Sequence, residues 1–227
     1  MNTRRRAWIA GALGCALLMT RAFAASEDDV HAAMSYDGLR QISVKGIDLA
    51  YARPGASLAA YDKVLIEPIE VAFRKDWNPK KTGSELKLSS TDRENIRTGV
   101  AKIVRDEFVR AIEAKSGYKV VGEPGPDVLR VKAMILNLYV SAPQGRTAAR
   151  TQTYTVSAGE MTLVAELHDS ETGQVLARVV DRQAARSSSH MTFTNSAANT
   201  DEARDIASAW ARALRDGLDK AHNIGRK

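Results

Sequence analysis

Two alternating runs joined by a short polar turn constrain the fold of this chain most. Met161, Leu163, Ala165 and Leu167 alternate with Thr162, Val164, Glu166 and His168. The turn Asp169-Ser170-Glu171-Thr172-Gly173 follows, and then Val175, Ala177 and Val179 alternate with Leu176, Arg178 and Val180. A period of two belongs to a strand with one face buried, and a glycine-bearing loop of this length closes an antiparallel pair. The spacing predicts His168 opposite Gln174, with Leu167 against Val175 and Leu163 against Val179 on one face. Glu160 then meets Arg182 on the other. A lone hairpin cannot stabilise itself in water, so the rest of the chain must cover its apolar face.

Two amphipathic helices supply that cover. Thr91-x-x-Glu94 reads as a capping box. Ile96, Val100, Ile103, Val104, Phe108 and Ile112 then recur every three or four residues, and Gly117 stands as the stop. The second helix is expected from about Asp201 to Ala221, capped at Asn199 or Thr200, with Ile206, Trp210, Leu214 and Leu218 on its buried stripe. Between them lie a short strand at Tyr118–Val121 and a long one over 128–140, where Leu129, Val131, Ala133 and Ile135 face one way. Upstream, Val64, Ile66, Ile69, Val71 and Phe73 form a β-rich run interrupted by Pro68, which cannot donate to a ladder and so marks a bulge or an edge.

The expected order is β-α-β-β-β-β-α. This implies a two-layer α+β sandwich: a mixed, mostly antiparallel sheet of about five strands with two helices on one face. Residues 61–222 form the single domain, 25–60 an irregular arm and 223–227 a tail. Two long polar loops, Ser141–Gly159 and Ala185–Asn199, should leave the same end of the sheet, bringing together Arg146, Arg150, Arg186 and His190 as candidate partner-contacting residues. The basic 74–89 loop, holding Trp77, is expected at the opposite end, where Trp77 could stack on a sugar or lie at a lipid interface.

The amino terminus carries an address. Arg4, Arg5 and Arg6 precede an uncharged run from Ala7 to Met19, and Ala22-Phe23-Ala24 offers small residues where a signal peptidase reads. Residues 1–24 are therefore expected to be a signal peptide cleaved between Ala24 and Ala25, because the apolar run is shorter than the roughly 20 residues a membrane span needs. Ala12-Leu13-Gly14-Cys15 loosely resembles a lipobox, so lipidation at Cys15 is the alternative, with attachment to the outer membrane. Four of the 33 basic residues lie in this stretch, leaving 29 against 27 acidic ones, so the net charge falls from +6 to +2. That near-neutral balance gives no general reason to bind nucleic acid. Cys15 is the one cysteine, so a cleaved chain has no disulfide, no thiolate zinc site and no cysteine nucleophile.

Several segments resemble a known family. They are Tyr61-Asp62-Lys63-Val64-Leu65-Ile66-Glu67-Pro68-Ile69, Gly125-Pro126-Asp127-Val128-Leu129-Arg130-Val131, Glu166-Leu167-His168-Asp169-Ser170-Glu171-Thr172-Gly173-Gln174-Val175-Leu176, and Trp210-Ala211-Arg212 with Leu214. In this order they resemble domain-of-unknown-function family 3313, bacterial envelope proteins often described as lipoproteins. The resemblance implies an envelope location and no catalytic residue.

The familiar catalytic motifs are missing: there is no G-x-S-x-G, no H-E-x-x-H and no P-loop. His31, His168, His190 and His222 are scattered, and His168 reads as a surface residue at a hairpin end. Asp181 falls on the apolar face and needs a partner, either water at a wet strand end or an arginine. Glu67 flanks Pro68 on what reads as a solvated edge. The leading expectation is a non-enzymatic periplasmic or outer-membrane-associated protein that engages an envelope protein or cell-wall component through its loops, with no cofactor and no metal. One alternative is a hydrolase using Asp181 or Glu67 with a loop histidine. Another is a carrier with an apolar pocket of a few hundred Å³ between helices and sheet.

Overall fold

The structure is a computed structural model and describes residues 37–77, 90–114, 117–140, 158–184 and 196–224. Eight strands form one mixed sheet: β1 Arg40–Ile42, β2 Leu49–Ala52, β3 Lys63–Ile66, β4 Glu70–Phe73, β5 Lys119–Val121, β6 Val128–Val140, β7 Ala158–Asp169 and β8 Val175–Ala184. Helix α1, Ser90–Glu113, falls between β4 and β5, and α2, Ser196–Ala221, follows β8. The spatial order is β1-β2-β8-β7-β6-β3-β5, with β4 also paired to β6.

The α+β class holds, and the expected strand count of about five is too low for two reasons. Residues 40–52 fall within the stretch expected to be an irregular arm, yet they contribute β1 and β2, and β2 pairs antiparallel with β8. Their alternation spans only three and four residues, too short to stand out as a period. The run around Pro68 is also two strands. Both pair parallel with β6, β3 along Val128–Val131 and β4 along Met134–Leu138. Glu67 donates its amide to Val131 at 3.0 Å just before the proline, where the ladder stops.

Both helices bury their stripes on one face of this sheet. From α1 come Ile96, Val100, Val104, Phe108 and Ile112, and from α2 come Ala203, Ala207, Trp210, Ala211 and Leu218. They meet Val64, Leu129, Val131, Ile135, Met161 and Leu163. In β6 the odd-numbered residues face this core as far as Ile135. Asn137 then takes φ 54°, a left-handed conformation that asparagine tolerates better than most residues, and the bulge brings Leu138 and Val140 onto the same face. Helix α1 starts at Ser90, so Thr91 lies inside its first turn instead of capping it.

The hairpin register is displaced by two residues from the expected one. Leu163 faces Asp181, Ala165 faces Val179, and Leu167 faces Ala177. Glu166 pairs with Arg178. A bulge at Leu167/His168 absorbs the difference, and the turn is held by Thr172, whose amide and hydroxyl both donate to Asp169 Oδ1 at 2.7 Å. The bulge also switches the face of Val175. Expected on the main core, it packs instead with Leu39 and Tyr51 on the opposite face, while Leu176 joins the main core. Glu160 lies opposite Ala184, yet Arg182 still reaches it diagonally, Nε to Oε1 2.9 Å.

Parallel pairing of β4 with β6 has a topological consequence. Phe73 lies beside Leu138, and Arg74 donates its amide to Leu138 at 3.0 Å. Trp77 therefore stands at the end of the sheet where β6 and β8 finish, not at the opposite end as the sequence suggested. The error came from counting β5 into the antiparallel meander: β3 lies between β5 and β6 and pairs parallel with both, so β5 and β6 run the same way.

Candidate functional site

Small residues on three walls leave an apolar cavity of about 260 Å³ between the sheet and α2. Ala165 and Ala177 floor it from β7 and β8, Ala213 and Gly217 face it from α2, and Ala50 and Ala52 line it from β2. Leucine at any of these positions would fill the space. Larger apolar side chains complete the wall: Val131, Leu163, Leu167, Val179, Leu214 and Phe108. The mouth is formed by Ile42, Val44 and Ile47, and Ile42 is 44 % exposed, one of the two large hydrophobics the described residues show to solvent. Interiors normally hold few voids larger than a water molecule. An apolar void of about 150 Å³ stays dry and accepts a benzene ring. This cavity is therefore large enough for a ring or a short alkyl segment, and its lining offers such a group no charge.

The mouth-forming segment is fastened at Asp181. That carboxylate is 0 % exposed. It accepts from Trp210 Nε1 at 2.6 Å, Gln183 Nε2 at 2.7 Å and the Asp48 amide at 3.0 Å. Asp48 returns the contact by accepting from the Arg182 amide at 2.9 Å. Arg53 adds two bonds to β8, its amide to Leu176 O and its Nε to Val175 O, both 2.8 Å. Asp181 is thus satisfied by an indole, an amide side chain and a backbone N–H, instead of by the water or arginine expected of it. Trp210 fills the core as expected and also supplies one of these donors.

A second buried cluster lies on the other face. Glu166 accepts from Arg178 Nε at 2.6 Å, and its second oxygen lies 2.9 Å from His168 Nε2. His168 Nδ1 lies 3.1 Å from Gly173 O, and Arg178 also pairs with Asp37. Burial opposes ionisation of Glu166, but the hydrogen bonds from His168 and Arg178 outweigh it and hold the carboxyl below its ordinary range. His168 is 4 % exposed, so the expectation of a surface histidine is corrected. Its carboxylate partner is Glu166, two positions away on the same face of the strand. Both ring nitrogens are engaged.

Among the described residues, neither Asp181 nor Glu67 is brought to a histidine; the loop histidine His190 lies outside them. Asp181 contacts no described histidine, and Glu67 lies near Arg130 at 3.7 Å. Among the described residues no group of three or more His, Cys, Asp or Glu is placed to hold a metal. Also among them, no helix is long and apolar enough to cross a membrane. Trp77 is half-buried, and its Nε1 donates to Val140 O at 2.9 Å. Arg146, Arg150, Arg186, His190, Cys15, Ala24 and Ala25 lie outside the described residues. The cavity lies where the carrier alternative required a pocket, between helix and sheet; its lining was not named from the sequence, where the trace is small residues set among large ones on otherwise apolar faces.

The family model described as a protein of unknown function, DUF3313, matches residues 28–214. The chain belongs to the DUF3313 family. No curated protein matches this DUF3313 chain. Among solved structures it is similar to the PelC dodecamer from Paraburkholderia phytofirmans, at 13 % identity and a TM-score of 0.34, covering 75 % of this chain and 96 % of that one. It is similar to protein XCC0632 from Xanthomonas campestris, of family DUF330, at 15 % identity and a TM-score of 0.37, covering 74 % and 93 %. It is also similar to a minor lipoprotein from Acinetobacter baumannii, at 11 % identity and a TM-score of 0.27, covering 69 % and 94 %.

Proposed function

We propose that this DUF3313 protein is an exported, non-enzymatic binding protein of the bacterial envelope that holds an apolar group between α2 and the sheet. The observation that carries the reading is the cavity of about 260 Å³ with its wall of small and aliphatic residues. An apolar ligand gains by leaving water in proportion to the area it buries, and a wall without charges suits a hydrocarbon or a ring. Export is supported by the Arg4-Arg5-Arg6 start, the uncharged run and the Ala22-Phe23-Ala24 cleavage pattern. The periplasm is the proposed location, with outer-membrane anchoring as the alternative if Cys15 is lipidated. Mass spectrometry of the mature amino terminus decides between them. Both buried carboxylates of the hairpin are saturated by structural partners, which favours binding over catalysis.

Titration of the purified protein with N-phenyl-1-naphthylamine, an uncharged fluorescent hydrocarbon probe, tests the reading. Saturable binding is expected, weakened at least about tenfold by Ala213→Phe, which places a ring in the cavity; overpacking of this kind typically costs about 1–3 kcal/mol, so circular dichroism must show the variant folded. Gly217→Leu gives a second variant should the first fail to fold. Absence of saturable binding, or equal binding by folded filled variants, overturns the proposal.

A further inference from the structure

Far from the apolar cavity in character, a second hollow of about 690 Å³ opens between β4 and the first turns of α1. The rings of Phe73 and Trp77 stack inside it, centroids 4.4 Å apart and 6° from parallel. Two guanidinium groups from α1 lie over this pair: Arg97 at 5.3 Å from the Phe73 centroid and Arg93 at 5.9 Å from that of Trp77. The Trp77 hydrogen bond to Val140 fixes the orientation of the stack.

This arrangement positions donors without using them up. A guanidinium held by an aromatic face keeps its in-plane N–H groups for another partner. Arg97 gives one contact to Glu94, Nη1 to Oε2 at 3.1 Å. Arg93 and Lys75 also line the hollow, beside the carboxylates Glu70 and Glu94, and neither cation is in an ion pair among the described residues. Arg74, by contrast, is committed to Asp76 at 2.7 Å and Glu160 at 3.7 Å. Arg93 and Arg97 are four residues apart on one helix face, where like charges repel. Glu94 offsets part of that repulsion through Arg97; an anion between the two arginines would relieve the rest, and a planar fork on each side suits the oxygens of a phosphate.

We propose that Arg93, Arg97 and Lys75 bind a phosphate group, presented by a soluble phosphorylated molecule or by an anionic lipid headgroup. The aromatic pair acts as the platform that holds the two forks ready, so little ordering is left for the ligand to induce. The site is separate from the apolar cavity and does not depend on what that cavity binds.

The test uses the full chain at low ionic strength with two probes: sn-glycerol 3-phosphate by calorimetry, and vesicles of phosphatidylcholine with and without phosphatidylglycerol by co-sedimentation. Binding to the soluble probe supports a small-molecule site, and binding confined to phosphatidylglycerol vesicles supports a lipid headgroup. In either case Arg93→Gln with Arg97→Gln is expected to weaken binding at least about tenfold. Arg93→Lys, which keeps the charge and loses the fork, should weaken it about three- to fivefold. Arg212→Gln on the exposed face of α2 should leave it unchanged. If the double variant does not fold, Arg93→Lys decides. No binding of either probe, or arginine variants that bind like the parent, overturns the proposal.

Discussion

Glu166 and Asp181 sit on one hairpin, on opposite faces, and both are buried, at 3 % and 0 % exposure. The chain satisfies them in different chemical ways. Glu166 is held by cationic Arg178, in turn paired with Asp37, and by His168. Asp181 is held by neutral donors: an indole, a side-chain amide and a backbone N–H. The first arrangement places several ionisable groups in mutual contact, and its strength follows the ionisation of Glu166. The second turns one carboxylate into a fastener for β2, β8 and α2. A buried acid on a sequence thus says that partners exist, without saying whether those partners carry charge.

The largest expected effect separates the two sites. Glu166→Ala leaves Arg178 and His168 without their shared acceptor, and breaking a buried pair from one side typically costs about 3–5 kcal/mol. Urea unfolding measures it, and a loss under about 1 kcal/mol would mean that water already serves the cluster. Asp181→Ala strands neutral donors instead, for an expected loss of about 2–4 kcal/mol. Asp181→Asn should recover part of this by keeping one acceptor oxygen. Equal losses for both Asp181 variants would show that the charge itself matters at that site.

Acid sharpens the comparison further. The folded protein holds the Glu166 carboxyl below its ordinary value of 4.5. Its contribution is therefore fully present above about pH 4.5 and is lost as pH falls through the lower folded value. The stability gap between the parent and Glu166→Gln should be widest near neutrality and narrow in acid. A gap that stays constant from pH 7 to pH 3 would place the interaction outside the titration of Glu166. The smallest effect belongs to the hairpin's exposed pair. Arg182 is 64 % exposed, and Arg182→Ala should change stability by no more than about 1 kcal/mol. A larger loss would show that partial burial of Glu160 makes this rim pair behave like the interior one.

The layers of this fold were legible because they depend on local period. The stripe of Ile96, Val100, Val104, Phe108 and Ile112 and the alternation around Leu163 each announce a face. What escaped depends on distant pairing. Leu49 to Ala52 becomes a strand only because β8 accepts it, and no feature of four residues reveals that. The two-residue slip of the hairpin kept most alternating residues on the correct face, which is why face assignments survived a wrong register, while the bulge at His168 moved Val175 to the other side. The buried role of Asp181 was anticipated as a need for a partner. Naming Trp210 required knowing where α2 lies over the sheet. The cavity was least legible, since an absence of side-chain volume is distributed over Ala165, Ala177, Ala213 and Gly217 from separate elements.

The pairing of β2 with β8 also sets a timetable. Leu49 must find Val180, and Tyr51 must find Arg178. A chain that emerges amino end first, from a ribosome or a secretion pore, presents residues 40–52 long before their partner exists. Contacts this remote in sequence slow folding, and an unpaired apolar segment invites association in the interval. The wall of the apolar cavity that β2 supplies therefore cannot be completed until β8 is available.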